Sequence, residues 1–156
     1  MKILKNLLTE KERDSIYEWW NSYKNIPDDH QAIGTKAIRQ PKFLTPYLDK
    51  IKPILEKETN YKLTNKFSAI RMYRKGDKLE KHTDNAAEFA TSIIVKQSDN
   101  KNNSLLFYDE DIITVNLQEG EGCYFRGTKV PHERLEVQSD FILHIYLGYN
   151  IQTNII

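Results

Sequence analysis

Apolar residues recur near helical spacing through Ile16, Trp19, Trp20 and Tyr23, and after Leu63 the period shortens to that of extended chain. Thr9 followed by Glu12 is a capping-box pattern, so a helix is expected from about Glu10 to Tyr23. From Asn25 to Pro41 the pattern dissolves into polar residues punctuated by Pro27, Gly34 and Pro41, which predicts a long loop. A second helix is expected to begin at Pro46, behind Thr45, and to run toward Glu58. Pro53 falls inside it and is expected to bend or split it.

Beyond Leu63 the β-like runs are short: Lys66–Tyr73, Leu79–Asp84, Thr91–Lys96, Leu105–Tyr108, Ile112–Leu117, Gly122–Arg126, Arg134–Val137 and Phe141–Tyr149. Turn-forming stretches such as QSDNKNNS, DED, QEGEG and QSD separate the later ones. Two helices followed by eight short antiparallel strands predict a mostly β protein with N-terminal helices. The architecture expected is a double-stranded β-helix, a jelly-roll or cupin-like barrel with helices packed on one sheet. No repeat or linker divides the chain. Residues 1–156 read as a single domain, helical to about residue 60, with a jelly-roll core from about 61 to 150.

Composition narrows the function classes. A chain of 156 residues can bury roughly two-thirds of its unfolded surface, enough for one core. The 23 basic residues nearly cancel the 22 acidic ones, so no global field favours nucleic acid or an anionic membrane. A single cysteine, Cys123, excludes an intramolecular disulfide and fits a reducing compartment; it reads as a small buried apolar residue. The opening MKILKNLL has too short an apolar run for a signal peptide, and no stretch approaches the roughly 20 apolar residues of a membrane span. The expectation is a soluble, cytoplasmic protein.

The candidate chemistry lies in His82, Asp84 and His132. His82 and Asp84 are two apart, so on a strand both side chains leave the same face and reach one metal ion. His132, in PHERLEV, supplies a third ligand from a neighbouring strand. Two imidazoles and a carboxylate on one face of an octahedron leave three positions open, as oxygen chemistry at Fe(II) requires. His144 alternates with Ile142 and Tyr146, either lining a pocket or sitting hydrogen-bonded in the core. His30, in the polar loop, reads as solvated.

The flanking residues extend the pattern to Y-x-x-G-x-x-L-x-x-H-x-D over Tyr73 to Asp84. A Gly turn, the aromatic strand GCYFRG, P-H-E and a final strand FILHIY follow. From about Phe67 to Tyr149 the chain resembles the Fe(II)/2-oxoglutarate-dependent dioxygenases, specifically the prolyl-hydroxylase-like branch. The resemblance implies that His82, Asp84 and His132 hold Fe(II) and that the Tyr73 hydroxyl contacts 2-oxoglutarate. It further implies an oxygenase that uses molecular oxygen to hydroxylate a C–H bond, with release of succinate and CO2. The substrate would be a prolyl or other peptide residue, or a small molecule. The family pattern also places Arg or Lys on the strand after the distal His, to pair with the far carboxylate of the cosubstrate. Phe141, Ile142, Leu143 and His144 stand there instead. A dicarboxylate in a low-dielectric barrel needs a cation, and a bidentate guanidinium serves best. Arg126 is the first candidate and Arg134, with the parity of His132, the second; Lys96 and Arg71 follow. The missing cation on the last strand supports an alternative, a cupin-type metal-binding protein that does not use 2-oxoglutarate. The Asn25–Pro41 loop and the QSDNKNNS connection are candidate lids.

Overall fold

Thr9 and Glu12 form the expected reciprocal cap: the Glu12 amide donates to Thr9 Oγ1 at 3.2 Å, and the Thr9 amide donates to Glu12 Oε1 at 2.9 Å. The helix they start, α1, spans Glu10–Ser22 and buries Ile16 and Trp20. The computed structural model describes residues 1–152. In chain order the elements are β1 (Lys2–Leu4), α1, β2 (Lys36–Arg39), a 3-10 turn (Lys42–Leu44), α2 (Thr45–Thr59), β3 (Leu63–Arg74), β4 (Leu79–His82) and β5 (Phe89–Gln97). Then come β6 (Leu105–Tyr108), β7 (Ile112–Val115), β8 (Gly122–Phe125), β9 (His132–Arg134) and β10 (Phe141–Ile151).

Three local expectations are corrected. Pro53 does not divide α2, which runs unbroken from Thr45 to Thr59. Pro53 and Asp49, four residues earlier, are both exposed, so the Asp49 carbonyl released by proline meets water. The stretch from Asn25 to Pro41 is not all loop, because β2 lies within it and pairs antiparallel with β3, Ala37 opposite Arg71. β1 likewise pairs with β8. Both lie at the ends of the larger sheet, β1 against β8 and β2 against β3 with only a single bridge from Lys36 to Asp28 on its outer side, and such short edge strands carry little of the alternation that marks strands in sequence. The strand expected at Arg134–Val137 instead ends at Arg134.

The strands form two antiparallel sheets, six-stranded in the order β1-β8-β5-β10-β3-β2 and four-stranded in the order β4-β9-β6-β7. Strands β3 to β10 cross between the two sheets as a jelly roll does, with β3, β5, β8 and β10 in one and β4, β6, β7 and β9 in the other. The fold class is therefore as expected, with β1 and β2 added at the edges of the larger sheet.

Strand β10 explains how the barrel is filled. Leu143, Ile145, Leu147 and Tyr149 join the core beneath the helices, with Ile16, Leu44, Ile51 and Leu55. Ile142 points the other way into the space between the sheets, beside Tyr73, Phe107 and Phe125. His144 and Tyr146 share that parity and line a cavity. The period of two thus assigns one face of the strand to stability and the other to the site. No helix among the described residues is long and apolar enough to cross a membrane.

Candidate metal centre

His82 and His132 are opposite residues of the β4–β9 ladder, so their side chains emerge on one face of the smaller sheet. Their ring centroids are 4.4 Å apart. Strand β4 ends at His82, so Asp84 does not extend it, as a strand reading of H-x-D assumed. It occupies the following turn, where its amide donates to the Gly127 carbonyl at 2.8 Å. That bond swings the carboxylate back between the imidazoles. Asp84 Oδ1 lies 3.4 Å from His82 Nε2 and 3.5 Å from His132 Nε2. One ligand atom from each of the three residues falls within 4.8 Å of the others.

Contacts behind these groups fix which atoms face inward. Nδ1 of His82 is 2.7 Å from the Glu80 carbonyl and Nδ1 of His132 is 2.9 Å from the Val130 carbonyl. A carbonyl can only accept, so each Nδ1 donates a proton to its carbonyl and each Nε2 is left facing the common point. The Tyr146 hydroxyl donates to Asp84 Oδ2 at 3.0 Å, leaving Oδ1 for that point. Burial alone raises the Asp84 pKa, but the imidazoles of His132 and His82 outweigh it and hold the carboxyl well below the ordinary range. The same partnership with Asp84 raises His82 above its usual value, against the effect of burial. A carboxylate kept ionised beside two oriented imidazoles is a donor set that fits a divalent first-row metal such as Fe(II).

The cluster opens onto a cavity of about 400 Å³. Its inner end is bounded by Tyr73, Ser92, Phe107, Phe125, Arg134 and His144. Tyr73 is fully buried, and its hydroxyl accepts a hydrogen bond from Arg71 Nη1 at 3.1 Å. Arg134 is 2% exposed, with its guanidinium carbon 4.9 Å from the centre of the Tyr73 ring. Nη1 of Arg134 donates to the Asn103 carbonyl at 3.0 Å. Its Nε and Nη2 are buried and have no hydrogen-bond partner among the described residues. Burial accordingly lowers the Arg134 pKa. Burial, then the charges of Arg134 and Arg71, push His144 well below its usual value, so it is neutral; its Nδ1 is 3.0 Å from Ser92 Oγ.

The sequence candidates therefore separate by position. His82, Asp84, His132, Tyr73, Arg134 and Arg71 all line the cavity. Arg126 does not. It follows Phe125, which faces the barrel interior, and so takes the opposite side of the chain, 4.8 Å from the centre of the Phe89 ring under the helices. Lys96, partly buried near the end of β5, is also outside the lining. The QSDNKNNS connection is no free lid. Asn103 within it is buried, holds Ser139 and Gln138, and anchors Arg134. Sequence reasoning missed the carboxylate partner Tyr146 and the close packing at Gly127, where a Cβ would stand 2.4 Å from Asp84 Oδ2. The parity of Tyr146 with His144 was available as a signal; the Gly127 contact, made through space, was not.

Neither a protein-family model nor a curated relative matches the sequence. Solved structures do match the fold. A Pseudomonas putida prolyl-4-hydroxylase superposes with a TM-score of 0.75 over 97% of this chain and 92% of its own, at 12% identity. The viral collagen prolyl hydroxylase of Paramecium bursaria Chlorella virus-1, in complex with 2-oxoglutarate, gives 0.72 over 95% and 94%, at 13% identity. HygX from Streptomyces hygroscopicus, with nickel and 2-oxoglutarate bound, gives 0.75 over 97% and 82%, at 9% identity. The barrel around His82, Asp84 and His132 thus has the double-stranded β-helix fold of the 2-oxoglutarate- and iron-dependent oxygenases.

Proposed function

We propose that the protein is a non-heme Fe(II)- and 2-oxoglutarate-dependent oxygenase that hydroxylates a C–H bond and releases succinate and CO2. The observation that carries this reading is the pairing, in one cavity, of a three-ligand metal cluster with a buried guanidinium whose Nε and Nη2 have no hydrogen-bond partner among the described residues. A buried cation without an acid partner is costly, and an incoming carboxylate is the group that relieves it.

Each residue then has a definite task. His82, Asp84 and His132 hold the iron through Nε2, Oδ1 and Nε2. The carbonyls of Glu80 and Val130 and the hydroxyl of Tyr146 keep those three atoms aimed. Arg134 pairs with the far carboxylate of 2-oxoglutarate, and the Tyr73 hydroxyl, whose oxygen already accepts from Arg71, donates its own proton to the same end. Phe107 and Phe125 pack against His132 and keep water from that face of the site. When bound, the iron and its cosubstrate supply the oxidising power toward molecular oxygen; the protein contributes orientation and a dry wall.

The substrate enters from the outer half of the cavity, past Arg39, Phe67 and Tyr146. A prolyl or other peptide residue and a small molecule are both compatible with that mouth. Structures of the same fold hold a peptide fragment in one case, a Trichoplax adhaerens prolyl hydroxylase, and hygromycin B in another. The alternative of a cupin-type metal protein that ignores 2-oxoglutarate drew its support from the missing cation on β10, and Arg134 offers one from β9.

Anaerobic addition of Fe(II) and then 2-oxoglutarate is the test. A weak visible charge-transfer band, followed by succinate formation on admitting oxygen, is the expected result. Iron binding without the band overturns the cosubstrate assignment while leaving the metal site standing.

A further inference from the structure

Arg71 sits on β3 between the inner end of the cavity and the loop that precedes β2, and it is only 8% exposed. Each of its nitrogens is engaged. Nη1 donates to the Tyr73 hydroxyl at 3.1 Å, Nη2 donates to Gln31 Oε1 at 2.8 Å, and Nε donates to Asp29 Oδ2. The Asp29 side chain is fully buried and also accepts from Arg39 Nη2 at 3.1 Å and from the Gln31 amide at 3.0 Å. Thr35 closes the loop by donating to the Ala32 carbonyl through its hydroxyl at 2.7 Å, and Ala32 packs in the apolar cluster that contains Tyr73. One guanidinium therefore bonds both the tyrosine of the inner pocket and the segment whose His30 and Gln31 line the cavity.

We propose that Arg71 is a positioning residue that couples occupancy of the Tyr73–Arg134 pocket by a dicarboxylate to ordering of residues 25–35 over the cavity. This rests on the reading of that pocket as the cosubstrate site. The physical link is the Tyr73 oxygen. When the hydroxyl donates its proton to a carboxylate, its lone pairs become better acceptors, and the bond from Arg71 strengthens. A firmer Arg71 holds Asp29 and Gln31 in place. By linkage, the loop's contribution to Arg71 returns to the ligand as affinity of equal factor.

The experiment uses the full chain loaded with Mn(II) and reads two quantities: hydrogen exchange of amides in residues 25–37, and the Kd for 2-oxoglutarate by calorimetry. In the wild type, 2-oxoglutarate should slow exchange in the loop. Asp29→Asn, which touches neither metal nor pocket, should speed exchange and weaken 2-oxoglutarate binding about fivefold or more, with Mn(II) affinity unchanged. Gln31→Ala, at an exposed position, should do the same more weakly and covers the case in which Asp29→Asn does not fold. A merely structural role for Arg71 would lower thermal stability without separating the two affinities. Wild-type protein that binds 2-oxoglutarate with no change in loop exchange, or loop variants that exchange faster yet bind it normally, would overturn the coupling alone. Wild-type protein that binds Mn(II) but not 2-oxoglutarate would overturn the coupling together with the function it rests on.

Discussion

Tyr146 on β10 and Asp84 in the turn after β4 meet through a 3.0 Å hydrogen bond that assigns the two carboxylate oxygens different work. Oδ2 takes the phenol and Oδ1 stands between two imidazoles. Burial and the adjacent carboxylate push the Tyr146 hydroxyl up, so it stays a donor at every pH of interest. Tyr146→Phe should therefore weaken Fe(II) or Mn(II) binding by about tenfold, the lower end of what outer contacts to metal ligands provide. Far-ultraviolet circular dichroism should not change, since the ring itself remains. Metal titration followed by fluorescence checks this, and an unaltered Kd would show that Gly127 alone orients the carboxylate.

Arg134 and Arg126 provide a paired test on adjacent stretches of the same barrel. Arg134→Gln should weaken 2-oxoglutarate binding roughly tenfold to a hundredfold, the worth of a hydrogen bond to a charged group. Stability without ligand should hold, because the substitution removes a buried charge that lacks an acid partner. Arg126→Gln should leave the affinity within about twofold, since its guanidinium lies over Phe89 beneath the helices. Calorimetry on the Mn(II) form of both variants decides which cation faces the dicarboxylate.

Much of this site was legible in the chain. Tyr73, His82 and Asp84 stand in one pattern of fixed spacing, His132 stands in a separate P-H-E segment downstream, and alternation placed Arg134 with His132. Arg126 ranks above Arg134 in the sequence because it lies on the stretch leading to His132, and that proximity does not say which side of the chain faces the pocket. The strand ends at Phe125, and the chain that follows leaves the ladder. The Asp29–Arg71 pair was out of reach for another reason. It spans 42 residues, joins a loop to a strand interior, and leaves no periodic trace. The jelly roll itself was readable because β-rich runs such as β5 and β10 are separated by turn-forming stretches, whereas the short edge strands β1 and β2 bury too little to show.

Gly127 is required by space. Its carbonyl accepts from the Asp84 amide at 2.8 Å, and a Cβ there would lie 2.4 Å from Asp84 Oδ2 and 3.1 Å from the Ala87 carbonyl. Gly127→Ala should displace the carboxylate and reduce metal affinity at least as much as Tyr146→Phe, while the helices and larger sheet keep their exchange protection. Normal metal binding by this variant would mean that the turn yields without moving Asp84.

Cys123 faces the barrel interior on β8, and burial pushes its thiol up to about 12. At pH 8 the native protein should not react with iodoacetamide or a maleimide over hours, whereas protein in guanidinium should label at once. Mass spectrometry before and after unfolding gives the answer. Rapid native labelling would reveal opening of β8 from its neighbours β1 and β5.

Asp29 gives the structure its clearest acid response outside the metal ligands. Burial alone would raise its carboxyl, but Arg71 first, then bonds from the Gln31 amide and Arg39, hold it below the ordinary range. A carboxylate whose folded pKa is depressed contributes stability that is fully present above the unfolded value of about 3.9. That contribution is lost as pH falls through the lower folded value. Residues 25–35 should thus be protected from a non-specific protease at pH 5 to 7 and released at more acidic pH, before the helices and larger sheet unfold. Pepsin cleavage rates across pH 2 to 5, set against exchange of β3 and β10 amides, measure this order. In Asp29→Asn the loop should already be open at neutral pH and its cleavage should follow only the protease's own pH profile. Simultaneous loss of loop and sheet would instead make the Asp29–Arg71 pair part of the global core.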